Sequence, residues 1–283
     1  MRFTKLVCLA VSVCGGLALA HPVFGQTQTP PAEKTTRQER KSEKRERINK
    51  LVKQEEEGNV IFAKQYTIGG KLYSDGWGAF YEHGKAKSTN WINLWNIEFG
   101  ERKHIKENKS NINSGSGLFF ERPVIYGKAN NFYFLKLGMG QSYLIGGKGN
   151  KNGVAISAAY SGGLSLGLLK PYYIQVREPR NSEILEIKWM DDNSRNDSLF
   201  LDPTAIQGSS SLFTGANETQ IKPGLFLRGA LRFDYGKYNE VISAVDAGFN
   251  VEYYFGDATQ MALIEPKKSF VNVYVALHFG RRK

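Results

Sequence analysis

The sequence predicts an all-β fold, a transmembrane antiparallel β-barrel of eight strands behind a charged N-terminal leader. Three observations predict it: one strictly alternating terminal strand, an export signal, and a parity in the lengths of the connections. Near the C-terminus Val271, Val273, Val275, Leu277 and Phe279 alternate with Asn272, Tyr274, Ala276 and His278. A period of two held over about ten residues and closed by an aromatic has the length and pattern of a strand crossing an outer membrane. Taken alone, the segment also fits a half-buried strand of a soluble sandwich.

At the other end, Arg2 and Lys5 precede an apolar run from Leu6 to Val13 that continues to Ala20, with Ala18-Leu19-Ala20 as a small-residue cleavage motif. That is the layout of a secretory signal, with a second possible cut after Gly25. The domains read as residues 1–25 signal peptide, 26–58 charged periplasmic leader and 59–283 barrel. Both cysteines, Cys8 and Cys14, fall in the signal, so the exported part has no disulfide, thiol nucleophile or thiolate metal site. The leader interleaves Lys34, Arg37, Arg40, Lys41, Lys44 and Arg45 with Glu33, Glu39, Glu43 and Glu46. Its few apolar residues make too narrow a stripe for a core helix. Pairs such as Glu43 with Arg47 fit a solvated helix, and disorder is the alternative. The net charge of +11 suggests nucleic acid, but an exported chain meets none in ordinary work. Anionic headgroups or polysaccharide are the better partners for that charge.

Eight strands are expected, running roughly over Val60–Tyr73, Trp77–Lys85, Trp91–Arg102, Phe132–Ile145, Gly153–Val176, Pro223–Tyr235, Val241–Phe255 and Phe270–Phe279. Their second, fourth and sixth connections are short and share a side with both termini. The third and fifth are long, and Arg177 to Lys222 is the longest. Outer-membrane barrels place termini and short turns in the periplasm and long loops outside. The short first connection, Ser74-Asp75-Gly76, could instead be a bend within one strand.

The side chains follow the same scheme. In the fifth strand Val154, Ile156, Tyr160, Leu164, Leu166 and Leu168 share one parity, while Ala155, Ser157, Ala159, Ser161, Gly163, Ser165 and Gly167 share the other. In the fourth, sixth and seventh strands the charges keep to one parity, and the residues expected in the lumen are Lys71, Glu82, Glu98, Lys136, Arg228, Arg232, Asp234, Asp246 and Glu252. An eight-stranded barrel is filled by its own side chains, so these charges are expected to pair across the interior. Trp77, Trp91, Trp95, Tyr133, Tyr143, Tyr172, Tyr173, Tyr235, Tyr253 and Phe279 suit an interfacial belt, with sugar stacking as the alternative for Trp77 and Trp189. Val275, Leu277 and Phe279 form the expected insertion signal.

No cofactor, metal or catalytic site is expected. No His pair has ligand spacing, and His83 or His278 with Glu82 is the one combination that fits a rim enzyme acting on lipids. Gly146-Gly147-Lys148-Gly149 joins two strands, so it is a turn and not a phosphate loop. The stretches Lys71-Leu72-Tyr73-Ser74-Asp75-Gly76-Trp77, Glu98-Phe99-Gly100-Glu101-Arg102-Lys103-His104, Gly162 to Tyr173 and Val275 to Lys283 resemble the small, porin-like outer membrane β-barrels of Bacteroidetes-type bacteria. That resemblance implies residence in a bacterial outer membrane and offers no catalytic residues. The expected role is structural or partner-binding, in contact with membrane lipids and with a possible outer-membrane or periplasmic protein partner. The alternatives are a small porin and a lipid-modifying barrel enzyme. Recognition is expected on the long loop 177–222, where Trp189, Asp191-Asp192 and the polar run Gly208–Ser211 could set an aromatic anchor in a polar rim.

Overall fold

The computed structural model describes residues 40–46, 62–110, 123–149, 152–179, 183–190, 194–237 and 240–283. The expected signal peptide lies outside the described residues. Of the leader, residues 40–46 are described and form one exposed helix, α1. The expected partner Arg47 lies outside the described residues.

The remaining elements are β1 (Lys64–Tyr73), β2 (Gly76–Ala86), β3 (Trp91–Arg102), β4 (Lys109–Ser110), β5 (Val124–Ile125), β6 (Asn130–Gly146), β7 (Ala155–Pro171), β8 (Ile174–Arg177), β9 (Ile184–Ile187), α2 (Ser194–Phe200), β10 (Ile206–Ser209), a 3-10 turn (Ala216–Glu218), β11 (Gln220–Asp234), β12 (Val241–Ala258) and β13 (Lys267–Arg282). Eight strands close a barrel in the order β1-β13-β12-β11-β7-β6-β3-β2. β1 pairs with β13 from Gln65↔Arg282 to Tyr73↔Tyr274, so the first and last strands seal the cylinder and no barrel edge is left unpaired. Ser74-Asp75 is a true turn between β1 and β2, not a bend in one strand.

Most strand bounds differ from the sequence reading by one to four residues, and the fifth strand differs most. The fifth strand was expected to run to Val176, but the barrel strand β7 ends at Pro171, whose ring removes the backbone donor that a continuing ladder needs. Ile174–Arg177 instead becomes β8, the centre of a separate three-stranded sheet, β10-β8-β9. That sheet belongs to a cap built from the three longer connections at the end of the barrel opposite the termini. Val124, Ile174, Val176, Ile187, Phe200, Ala205 and Ile206 form its buried core, with Trp189, Leu199 and Ala262 packed on them. The loop 177–222 is therefore largely folded.

Within the barrel, small inward residues face large ones. A Cβ on Gly167 would lie 2.7 Å from the Phe132 ring, and one on Gly138 would lie 2.6 Å from Phe226. The glycines on the inward faces of β6 and β7 thus make room for aromatic rings. The opposite faces are apolar and exposed, as with Leu72, Ile97, Leu164, Leu227, Phe249, Val271 and Val275. Exposed aromatics sit near both strand ends: Trp77, Phe99, Tyr253 and Phe255 near the cap, and Tyr66, Tyr81, Trp91, Tyr143, Tyr235 and Phe279 near the termini. The outward run Ile156–Leu168, at ~3.4 Å per residue and a tilt of ~40°, climbs about 30 Å, the thickness of a hydrocarbon core. So large an apolar surface would drive aggregation in water and is satisfied by lipid.

Candidate functional site

The interior is a ladder of ion pairs that begins under the cap. Arg102, at the end of β3, donates from Nη1 to Asp75 at 2.6 Å and from Nη2 to Glu252. Glu252 also accepts from Asn250 at 2.6 Å and from the Tyr254 hydroxyl at 2.7 Å. Below it, Lys136 bridges Glu252 at 2.5 Å and Glu98 at 3.4 Å. Glu98 is the central acceptor, taking Lys71, the Tyr73 hydroxyl and Arg228 Nη1, the last at 2.9 Å. Toward the termini Arg232 holds Glu82 at 2.7 Å and Asp246 at 2.8 Å, and His278 Nε2 lies 2.8 Å from Asp246. At the rim Asp234 pairs with Arg282 and, at 3.4 Å, with Lys148.

Lys71, Glu82, Glu98, Lys136, Arg228, Arg232, Asp234, Asp246 and Glu252 are all buried, each on the inward face of its strand. The structure gathers five of them around Glu98 and Glu252 and three around Arg232, and sets Asp234 apart at the rim. Aromatic faces complete the cationic sites, with Lys136 4.1 Å from the centre of the Phe134 ring and Lys71 4.7 Å from that of Phe80. Beside Arg228, Arg232 and His278 the described lumen leaves a cavity of about 10 Å³, room for at most one water. Above the ladder Phe132, Tyr254 and Phe270 pack against one another at 5.3 to 5.8 Å between ring centres and close the outer end.

Sequence reasoning missed several members of the ladder. Arg102 and His278 were legible by parity, since they share a face with Glu98 and with Asn272, Tyr274 and Ala276. Asp75 sits in a turn and Lys148 beyond a strand end, where parity says nothing. Val275, Leu277 and Phe279 all point outward and are exposed. His83 and Glu82 face opposite sides of β2, and the His83 ring stacks on Tyr66 at 4.7 Å. His278 is linked to Glu82 only through Arg232, inside the barrel and not at a rim. Among the described residues no cluster of His, Asp or Glu is arranged to hold a metal ion.

The expected recognition loop is also rearranged. Trp189 is half-buried and packed against Phe200, 5.7 Å between ring centres, so it leans on the cap core and does not stand as a free anchor. Tyr172 likewise packs on the cap core and leaves the interfacial belt. Gly208 and Ser209 lie in β10, and Asp191 and Asp192 lie outside the described residues. On the cap surface Lys188 bonds Glu218 at 2.6 Å, which holds its ammonium proton above the usual lysine range. Partial burial and the Lys267 charge push the His104 imidazole below its usual range.

A closed eight-strand barrel with charges inside, apolar residues outside and aromatics at both ends is an outer-membrane β-barrel protein. No protein-family model matches the chain, and no curated protein matches it. Solved structures of small outer-membrane barrels do match. The N-terminal β-barrel domain of OprF from Pseudomonas aeruginosa is 10% identical, with a TM-score of 0.36 over 77% of this chain and 96% of that one. Ail, the attachment invasion locus protein of Yersinia pestis, is 13% identical in its complex with the heparin analogue sucrose octasulfate, with a TM-score of 0.38 over 78% of this chain and 99% of that one. Neisserial surface protein A is 10% identical, with a TM-score of 0.34 over 77% and 94% of the two chains. The expected resemblance therefore holds at the coarser level that the closed eight-strand barrel itself shows, and no family model or curated protein supports the narrower Bacteroidetes-type group.

Proposed function

We propose that this protein is a non-conducting outer-membrane barrel whose charged interior is structural, and which serves as a scaffold presenting its folded cap to a partner. The observation that carries the reading is the pair of buried ion-pair networks, one from Arg102 to Arg228 and one around Arg232, with a cavity of only about 10 Å³ where they meet. A porin needs a water-filled path, and moving the Glu98 or Glu252 carboxylate to open one would strand buried cations. The cap has its own apolar core and so presents a fixed surface, which keeps the entropic cost of recognition low.

The test is electrical. Purified full-length protein in planar bilayers is expected to give no sustained conductance steps, whereas reproducible steps of uniform size would overturn the sealed reading. Co-purification from native outer membranes in mild detergent then tests the scaffold role. A stoichiometric partner that needs the cap supports it, and a partner retained equally by a cap-deleted barrel counts against it.

A further inference from the structure

The cap leaves several large apolar residues exposed, Ile105, Met190 and Leu263 among them, and in one turn two of them stand side by side. Leu212 and Phe213, in the turn after β10, are 82% and 85% exposed. The turn is nevertheless built with care. Thr214 N–H donates to the Ser211 carbonyl at 3.1 Å, and Ser210 N–H donates to the Tyr173 carbonyl at 3.0 Å. Gly215 follows with φ 77°, where only glycine is comfortable, and a Cβ there would strike the Tyr173 ring at 2.7 Å. Two large apolar side chains are thus held out into the surroundings by a fixed backbone.

Where they are held is set by Lys170, whose Nζ donates to the Leu212 carbonyl. Lys170 shares its parity on β7 with Leu164, Leu166 and Leu168, so it stands on the outer wall of the barrel and not over its mouth. Leu168 pairs with Tyr133 on one side and with Ile221 on the other, and Ile221 is 63% exposed. This row is the top of the lipid-facing band. The turn lies one step above it, beside a lysine whose apolar stem can follow the hydrocarbon boundary while its ammonium stays at headgroup level.

We infer that the turn Ser211–Thr214 is a lipid anchor of the cap, with Leu212 and Phe213 seated in the outer leaflet against β7 and β11. The bond that ties the turn to Lys170, on the outer wall next to the lipid-facing row of Tyr133, Leu168 and Ile221, selects lipid as the occupant. A large aromatic next to a leucine, with a lysine at the boundary, is the composition found where a surface element dips into a membrane interface. The inference rests only on the barrel's residence in a membrane, so it stands or falls independently of the sealed lumen. It gives the cap a second attachment besides its covalent strands and fixes its tilt relative to the bilayer.

The experiment places nitroxide spin labels on single cysteines introduced into a Cys8→Ser/Cys14→Ser full-length chain, which otherwise has no cysteine. Phe213→Cys and, separately, Leu212→Cys are reconstituted in phosphatidylcholine vesicles, with Leu227→Cys as the mid-membrane reference and exposed Ser198→Cys as the aqueous one. Accessibility to oxygen, which partitions into lipid, is compared with accessibility to a water-soluble nickel chelate. At position 213 or 212 the oxygen-to-nickel ratio is expected to exceed that at 198 several-fold and to approach that at 227. Ratios at both positions equal to that at 198 would overturn the anchor. Exclusion of both reagents would overturn it too, and spin-spin broadening that vanishes on dilution with unlabelled protein would identify a second copy as the occupant.

Discussion

Replacing Glu98 with glutamine removes one charge and almost no volume, which makes it the sharpest test of the interior. Glu98 Oε2 accepts from Lys71 and Arg228, and Oε1 accepts from Tyr73 and Lys136. In the Glu98→Gln variant Lys136 keeps Glu252 at 2.5 Å. Lys71 then has no carboxylate partner among the described residues, and Arg228 retains the Ser161 hydroxyl at 3.1 Å. Breaking a buried pair from one side costs about 3–5 kcal/mol, because the remaining charge is left in a dry site. Three cations share this acceptor and two of them are stranded, but losses at one site are not additive, so about 5 kcal/mol is expected in total. The control is Glu101→Gln. Its carboxylate lies on the other face of β3, where it accepts from Trp77 Nε1 at 3.2 Å near the outer rim, and its loss should cost about 0.5 kcal/mol or less.

The assay is a urea titration of the refolded protein in lipid vesicles, followed by tryptophan fluorescence and by the heat-modifiable band on gels. Lys71→Met added to Glu98→Gln should recover part of the loss, since it removes one of the stranded cations. A Glu98→Gln midpoint indistinguishable from that of Glu101→Gln would refute the reasoning, because the ladder would then be wet enough to screen its own charges.

Arg232→Glu should abolish the heat-modifiable band, since it would place a third carboxylate between Glu82 and Asp246, whereas Lys109→Glu, at an exposed position of β4, should leave the band intact. Phe279→Asp should leave the precursor exported but poorly inserted in cells; for the purified chain in vesicles, stability should fall by about 1 kcal/mol or less, because a charge near the interface is cheap. A normal level of inserted barrel in the outer-membrane fraction would remove Phe279 from the insertion signal. Deleting residues 191–219 takes Phe200, Ala205 and Ile206 from the cap core but no barrel strand, so the heat-modifiable barrel should persist while the rest of the cap becomes protease-sensitive.

The barrel was legible because each of its strands states its own two faces. Lipid outside and paired charge inside are opposite chemistries, so the alternation of Leu225, Leu227 and Leu231 with Arg228, Arg232 and Asp234 needs no distant partner to be read. Strand β3 could be bounded to the residue for that reason, with Trp91 and Arg102 at its ends. The cap has no such signature. Its strands β8, β9 and β10 are four residues each, and its core draws Val124, Ile187, Phe200 and Ala262 from three connections far apart in sequence. Without knowing which segments meet, Trp189 looks like an exposed anchor, and Phe200 across the gap half-buries it against the cap core.

The two halves also depend on each other in a way the sequence could not state. Ala129 and Asn130 N–H both donate to the Gln260 carbonyl, and Tyr172 N–H donates to the Ala129 carbonyl, so the three longer connections are joined where they leave the barrel. Directly beneath, Phe132, Leu169, Tyr254 and Phe270 form an apolar layer between the cap and Arg102. A buried arginine bonded to the buried Glu252 keeps that bond strong only if water is kept away from it, while its other partner, Asp75, stays partly exposed at the barrel end. The cap supplies that exclusion from outside, and the ladder in return fixes Tyr254 through Glu252 at 2.7 Å and so holds the aromatic layer on which the cap rests. Damage to the layer, as by Phe132→Ala, should therefore loosen the cap and weaken the ladder together, which neither a free-standing cap nor a self-sufficient lumen would do.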